Sequence, residues 1–166
     1  MFDVGETERV VGAYKDMIAH IALHYLQSWP DAEDVTQDVF IKWATKGKTF
    51  ADEDHEKAWF IRVTVNLCKD QLRSARRKHS VLRDDLPPVS RQSDDASHSL
   101  LREVLSLPPD YRLVIYLHYY EGYTLREIAG YLHKSENTIQ TWHQRAKELL
   151  KSSMGETHDG LETLHR

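Results

Sequence analysis

Residues Thr124 to Lys151, TLREIAGYLHKSENTIQTWHQRAKELLK, decide how this chain is read. Amphipathic helical patterns meet here across a gap of very few residues. Thr124 is placed to cap the first helix, with Glu127 three positions on as its reciprocal partner. Leu125, Ile128, Ala129 and Leu132 fall on one face at helical spacing. The pattern breaks at His133-Lys134. His133 stands in the turn where glycine is common, and a positive φ there costs a non-glycine residue free energy. Ser135 can cap a second helix whose apolar face is Ile139, Trp142, Ala146, Leu149 and Leu150. A short helix, a tight turn and a longer helix with polar first turns make the helix-turn-helix plan. In that plan the second helix lies in the major groove and its N-terminal side chains reach base edges. The plainer reading is a helical hairpin that only packs.

The rest of the chain must decide between these. Its 166 residues suit one ordinary domain or two small ones. With 40% hydrophobic and 29% charged residues it reads as folded and soluble. No apolar run approaches the ~18 residues of a membrane span. The N-terminal MFDVGETERVV is acidic and has no signal-peptide core, so the expected compartment is the cytoplasm and no membrane insertion is expected. A single cysteine, Cys68, excludes an internal disulfide and a cysteine-rich zinc site.

The net charge of −4 hides a sorting into blocks. Residues 1–58 carry −6, residues 59–83 carry +6, residues 84–110 carry −4, residues 111–153 carry +2 and the remainder −2. An acidic block beside a strongly basic one points to partners of opposite character.

Helical periodicity predicts a first helix over Glu6–Gln27, with Val11, Tyr14, Ile18, Ile21, Ala22 and Tyr25 facing a core and Trp29-Pro30 ending it. Asp31 is read as the cap of a second helix, DAEDVTQDVFIKWAT, buried along Val35, Val39 and Trp43. Asp34, Gln37, Asp38, Phe40 and Ile41 lie on its other faces, and the last two are more apolar than a solvated face needs. Lys46–Glu56 reads as a loop. A third helix is expected from about Lys57 to His79, anchored by Trp59, Phe60, Val63, Leu67 and Leu72. Arg62, Lys69, Arg73, Arg76, Arg77 and Lys78 make it the basic block. Cations interleaved with aromatic rings beside a loop suit DNA that is opening, since cations track phosphates and rings stack bases; a solvated basic face is the alternative. Residues from Ser80 to Ser97 have linker composition. Helix resumes near His98 and runs through LPPDYRLVIYLHYY, with Pro109 in a first turn and Gly122 as the stop.

Catalytic signatures are missing. His20 and His24 sit four apart and could face one metal, but neither a His-Glu-x-x-His arrangement nor a third ligand accompanies them, so no metal is assigned. There is no glycine-rich phosphate loop and no Gly-x-Ser-x-Gly elbow. Neither enzymatic activity nor a cofactor is expected.

The motifs taken in order carry a family likeness. Ala32-Glu33-Asp34-Val35-Thr36-Gln37-Asp38-Val39-Phe40 fits an AEDxxQxxF pattern. Ala58-Trp59-Phe60-Ile61-Arg62, Asn66, Asp70, Arg73 and Arg76-Arg77 follow a second pattern; Leu107 to Leu132 follows a third; Thr138-Ile139, Arg145-Ala146 and Leu149-Leu150 follow a fourth. Over roughly residues 8–152 the chain resembles a bacterial RNA polymerase sigma factor of the short extracytoplasmic-function (ECF) group.

The resemblance implies an all-α protein of two small helical domains joined by a flexible linker, the C-terminal one holding the helix-turn-helix. Residues 1–80 would bind core polymerase and recognise and melt the minus-ten element. Residues 81–97 would be the linker, 98–153 the minus-thirty-five reader and 154–166 a tail. Asp34, Gln37, Asp38, Phe40 and Ile41 would meet the β′ clamp coiled coil, and the C-terminal domain the β flap. The loop Lys46–Glu56 would receive a flipped base. Trp59, Arg62, Asn66, Arg73, Arg76 and Arg77 would hold minus-ten DNA. Glu136, Asn137, Thr138, Gln140, Thr141, Gln144 and Arg145 would read minus-thirty-five DNA. An anti-sigma factor is a further implied partner. A free-standing helix-turn-helix regulator is the competing reading; it leaves the acidic second helix and basic third helix unexplained.

Overall fold

The computed structural model describes residues 3–46, 49–78 and 102–154, side chains 77, 78 and 154 excepted. Among them every regular element is a helix, and the chain divides into two compact units, Met1–Pro88 and Val89–Arg166. The linker and nearly all of the tail read from the sequence lie outside the described residues.

Three long helices build the N-terminal unit: α1 (Val4–Leu26), α2 (Trp29–Lys46) and α3 (Glu53–Lys78). Helix α1 buries Val10, Tyr14, Met17, Ile18, Ile21, Ala22 and Tyr25. Val10 takes the core place expected of Val11, which is half-buried. The helix stops at Gln27, which turns left-handed at φ 54° and returns its N–H to the Leu23 carbonyl at 2.8 Å. Trp29-Pro30 therefore does not end α1. It opens α2, because proline in a first turn lacks only an N–H that has no intrahelical acceptor. Ser28, not Asp31, supplies the capping oxygen, 3.4 Å from the Asp31 N–H. Ala32, Val35, Val39 and Trp43 then face the core.

Helix α3 starts four residues earlier than periodicity alone indicates. The Asp52 carboxylate accepts the His55 N–H at 2.8 Å, and Glu53, Asp54 and Glu56 occupy the first turn, where the helix dipole favours acid. The loop thus ends at Asp52. Glu56, read from the sequence as loop, is a buried helical residue. Val63, Leu67 and Leu72 are half-buried, whereas Phe60, Ile61, Val65 and Cys68 carry the core. Burial pushes the Cys68 thiol up to about 12, so it stays an inert packing group.

The C-terminal unit begins with a helical turn at residues 102–106, followed by α4 (Pro109–Ile115), whose last turn widens into a π-helical turn over Tyr116–Tyr120. Arg112 is buried because its guanidinium donates to the Leu105 and Leu107 carbonyls at 3.1 and 2.6 Å, completing a turn that ends at a proline. Gly122, at φ 79°, takes the chain out of the π turn, and the Tyr123 N–H closes on the Leu117 carbonyl at 3.0 Å.

Helices α5 (Leu125–Leu132) and α6 (Glu136–Met154) form the helix-turn-helix. The capping box is present in both directions: Glu127 N–H to Thr124 Oγ1 at 3.1 Å and Thr124 N–H to Glu127 Oε2 at 3.3 Å. His133 adopts the expected left-handed conformation at φ 53°, with Lys134 N–H bonded to the Ala129 carbonyl at 3.0 Å, a Schellman-type end. The Ser135 hydroxyl accepts the Thr138 N–H at 3.1 Å and caps α6. Ile139, Ala146 and Leu150 are buried, and Ile128, Ala129 and Tyr131 of α5 are buried as well. Leu149 departs from the expected core face and is 46% exposed, one residue out of register with Leu150.

Thr124→Ala removes the side-chain arm of the capping box, leaving the Glu127 N–H without its acceptor, and is expected to destabilise the C-terminal unit by about 1 kcal/mol. Faster amide hydrogen exchange over residues 125–132, at wild-type rates over α1–α3, is the measurement that checks it.

Candidate nucleic-acid and partner interfaces

Asp34, Gln37, Asp38 and Ile41 recur at steps of three and four along α2, so they share one outward face. All are exposed, Ile41 by 54%. Phe40 separates from them. It turns toward the core and lies 6.0 Å, centroid to centroid, from the Phe60 ring. The structure therefore offers an acidic face with one aliphatic residue, and gives Phe40 a packing contact.

The basic surface of α3 is similarly ordered. Arg62, Asn66, Lys69, Arg73 and Arg76 follow at steps of four, three, four and three, a row that flanks the buried Phe60, Ile61, Val65 and Cys68, with Lys69 half-buried. Arg62 is half-buried with its Nε donating to the Ala58 carbonyl at 3.3 Å, and Asn66, Arg73 and Arg76 are exposed. Arg73 forms a 2.6 Å pair with Asp70, both ends solvated, an interaction that a phosphate can readily replace. The Arg77 side chain lies outside the described residues.

Trp59 does not present a free ring for stacking. It is 8% exposed, edge-on to Phe60 at 5.0 Å and tilted against Phe50 of the loop at 5.7 Å. Its place is under the loop, as a support.

On α6, Asn137, Gln140, Thr141 and Gln144 form an exposed row facing away from Ile139 and Ala146, with Arg145 beside it. The Gln144 amide donates to Glu148 at 3.2 Å, one turn on. Glu136 lies in the exposed first turn. Thr138 is drawn into the cap, its hydroxyl 2.8 Å from that of Ser135. Amides and a hydroxyl in a row, near the start of a capped helix, can donate to and accept from base edges.

Helix α6 is held at its flank by His143. Its Nε2 lies 3.0 Å from the Tyr119 hydroxyl, and its ring stacks on Tyr119 at 5.7 Å and meets His118 edge-on at 5.1 Å. Burial, then the charges of His118 and Lys147, push His143 down to about 4. His118 is itself oriented by a 2.7 Å bond between Nδ1 and the Tyr123 carbonyl. Sequence reading passed over this contact, because the π turn that aims His118 and Tyr119 at α6 has no periodic signature.

Two helical units with these faces have close counterparts among known proteins. Residues 10–78 match Sigma-70 region 2, and residues 97–150 match Sigma-70, region 4. The chain belongs to the sigma-70 family. Its relatives place it in the ECF group: it is 26% identical to the ECF RNA polymerase sigma factor SigW of Bacillus subtilis, over 87% of each chain. It is also 26% identical to the RNA polymerase sigma factor SigV of the same organism, over 83% of this chain and 84% of the relative. With the ECF RNA polymerase sigma-E factor of Haemophilus influenzae it shares 25% over 87% and 85%.

The fold agrees with that of sigma factor RpoE from Bartonella quintana, solved in complex with the anti-sigma factor NepR. The TM-score is 0.72 at 21% identity, over 91% of this chain and 98% of that one. As an ECF sigma factor the chain directs RNA polymerase to promoters, and a free-standing regulator is set aside by the two regions standing in family order. Sigma factors regulate polymerase and are not enzymes. Among the described residues no helix is long and apolar enough to cross a membrane.

The His143 contact makes the C-terminal unit sensitive to acid. An unfolded histidine titrates near ~6.5, so between there and about 4 the unfolded chain binds a proton that the folded His143 refuses. Its contribution is complete above that window and is lost as pH falls through it. Urea midpoints of the C-terminal unit are expected to drop between pH 7 and pH ~5 in the wild type. His143→Gln should flatten that drop.

Proposed function

We propose that the faces described above divide the labour of initiation. Residues 1–80 form the region that binds core polymerase and opens the minus-ten element, residues 98–153 read the minus-thirty-five element, and 81–97 connect them, with a tail over 154–166. The single observation that carries this reading is the segregation of charge: an exposed acidic row on α2 and a basic row on α3 that is exposed at Asn66, Arg73 and Arg76, within one three-helix unit.

Asp34, Gln37, Asp38 and Ile41 contact the β′ clamp coiled coil, with Phe40 bracing α2 from behind. Arg62, Asn66, Arg73, Arg76 and Arg77 grip the duplex beside the minus-ten element, and Trp59 supports the loop from which an unstacked base is received. Unstacking costs a few kcal/mol, so cations and a formed pocket must offset it. Asn137, Gln140, Thr141, Gln144 and Arg145, with Glu136 and Thr138 at the helix start, read the upstream element. The C-terminal unit also meets the β flap. The setting is cytoplasmic and no catalytic group is involved. The Bartonella structure supports an anti-sigma factor as the restraining partner.

The net charge of only +2 over residues 111–153 bears on the balance between the units. Phosphate contacts dominate DNA affinity. The upstream reader therefore selects, while the +6 segment at 59–83 and the polymerase provide most of the hold.

Run-off transcription with sigma-free core polymerase tests the whole reading. Promoter-dependent transcripts are expected; tight DNA binding by the chain alone, with no initiation on any genomic fragment, refutes it. Asp34→Lys combined with Asp38→Lys is expected to weaken core binding by roughly tenfold or more, as for reversed charges at an interface, without changing thermal unfolding. Gln144→Ala is expected to relax preference at one upstream base pair by about 1–3 kcal/mol, measured by competition among single-base promoter variants.

A further inference from the structure

The acidic first turn of α3 hides a group that neither the charge blocks nor the DNA-facing row explains. Glu56 is 6% exposed, yet both carboxylate oxygens are engaged across forty-odd residues of chain. Arg9 of α1 donates to it from both terminal nitrogens, at 2.9 Å to Oε1 and 3.2 Å to Oε2. The Tyr14 hydroxyl donates to Oε2 at 2.9 Å. Burial first, and then Glu56, raise the Tyr14 phenol well above its ordinary range, so it stays a donor. Arg9 is in turn held by Glu6, at 2.7 and 3.0 Å.

The Tyr14 ring continues along α3 and stacks on Phe60, one turn beyond Glu56, at 4.5 Å and 23°. Phe60 meets Trp59 edge-on, and Trp59 carries Phe50 of the loop. A buried carboxylate with three donors is directional, unlike the apolar contacts around it. It sets the rotation of α3 about its own axis against α1. That rotation aims both the loop end at residues 49–52 and the row that starts at Arg62.

We infer that Glu56, clamped by Arg9 and Tyr14, is a positioning residue for promoter melting. It presents the Phe50–Trp59 support and the basic row of α3 to the DNA in the orientation that opens it. The inference rests on the proposed minus-ten role of α3 and its preceding loop. Pre-organisation matters here because a site that must offset base unstacking gains nothing from contacts it has to assemble first.

The test uses the full chain reconstituted with core polymerase, on a promoter fragment selected by its own run-off activity. Opening is followed by 2-aminopurine fluorescence in the minus-ten element, on duplex and on a template already unpaired there. Glu56→Gln keeps the shape and removes the charge; Tyr14→Phe keeps the Phe60 stack and removes only the donor. Both are expected to slow opening of the duplex by roughly tenfold, the loss expected for one charge-assisted hydrogen bond. Core affinity and initiation on the unpaired template should remain at wild-type levels. Equal loss on both templates, loss of core binding, or unchanged opening by Tyr14→Phe as well as Glu56→Gln overturns the inference. If Arg62→Ala with Arg73→Ala leaves duplex opening unaltered, the minus-ten reading itself fails, an outcome distinct from failure of the Glu56 variants alone.

Discussion

Phe60 is wholly buried, and its ring is met by Tyr14 from α1, Phe40 from α2 and Trp59 from its own helix. Removing a side chain of that size from water is worth about 1.5–3 kcal/mol, and aromatic pairs add to it. The outward faces of the N-terminal unit depend on this contact. With Phe40 turned inward, Asp34, Gln37, Asp38 and Ile41 are left as the exposed row of α2. With Trp59 packed beneath Phe50, Asn66, Arg73 and Arg76 are left as the exposed part of the α3 row. One apolar junction thus sorts the acidic face of α2 from the basic face of α3.

The C-terminal unit is organised by satisfied backbone groups more than by large rings. Its helix-turn-helix is held by a capping box at the start of α5, a left-handed His133 at the end of α5 and a serine cap on α6, within the twelve residues Thr124 to Ser135. Arg112 does the same for the Leu105 and Leu107 carbonyls, and the side-chain contact between His143 and Tyr119 ties α6 to the π turn. These local devices hold the α6 row steady in a segment, residues 111–153, whose net charge is only +2. Such an arrangement suits an element that discriminates between sequences and relies on the polymerase for its grip.

Local signals were legible wherever the responsible atoms lie within a turn or two of one another. The Thr124–Glu127 box, the Ser135 cap and the stripe Val35, Val39, Trp43 all follow from spacing along the chain. Boundaries were less so. The start of α2 moved from Asp31 to Trp29 because Ser28, a better placed oxygen, captured the first turn. The start of α3 moved to Glu53 because Asp52 caps it and the buried Glu56 makes the extra turn worthwhile. The π turn at Tyr116–Tyr120 has no period to be recognised by.

From the sequence alone came the all-α class, the helix-turn-helix, the opposed charge of α2 and α3, and the family whose motifs they follow. Periodicity and capping are properties of near neighbours, and charge is a property of composition. Which members of a motif share a face was a tertiary decision. Phe40 and Trp59 stand inside the motifs for partner and DNA but point into the core, since Phe60 offers them a dry surface. Glu56 reads as one more exposed acid until Arg9 and Tyr14 arrive from another helix to accept its burial. A carboxylate can be taken from water only where donors converge on it, and convergence between distant residues exists only in the folded chain.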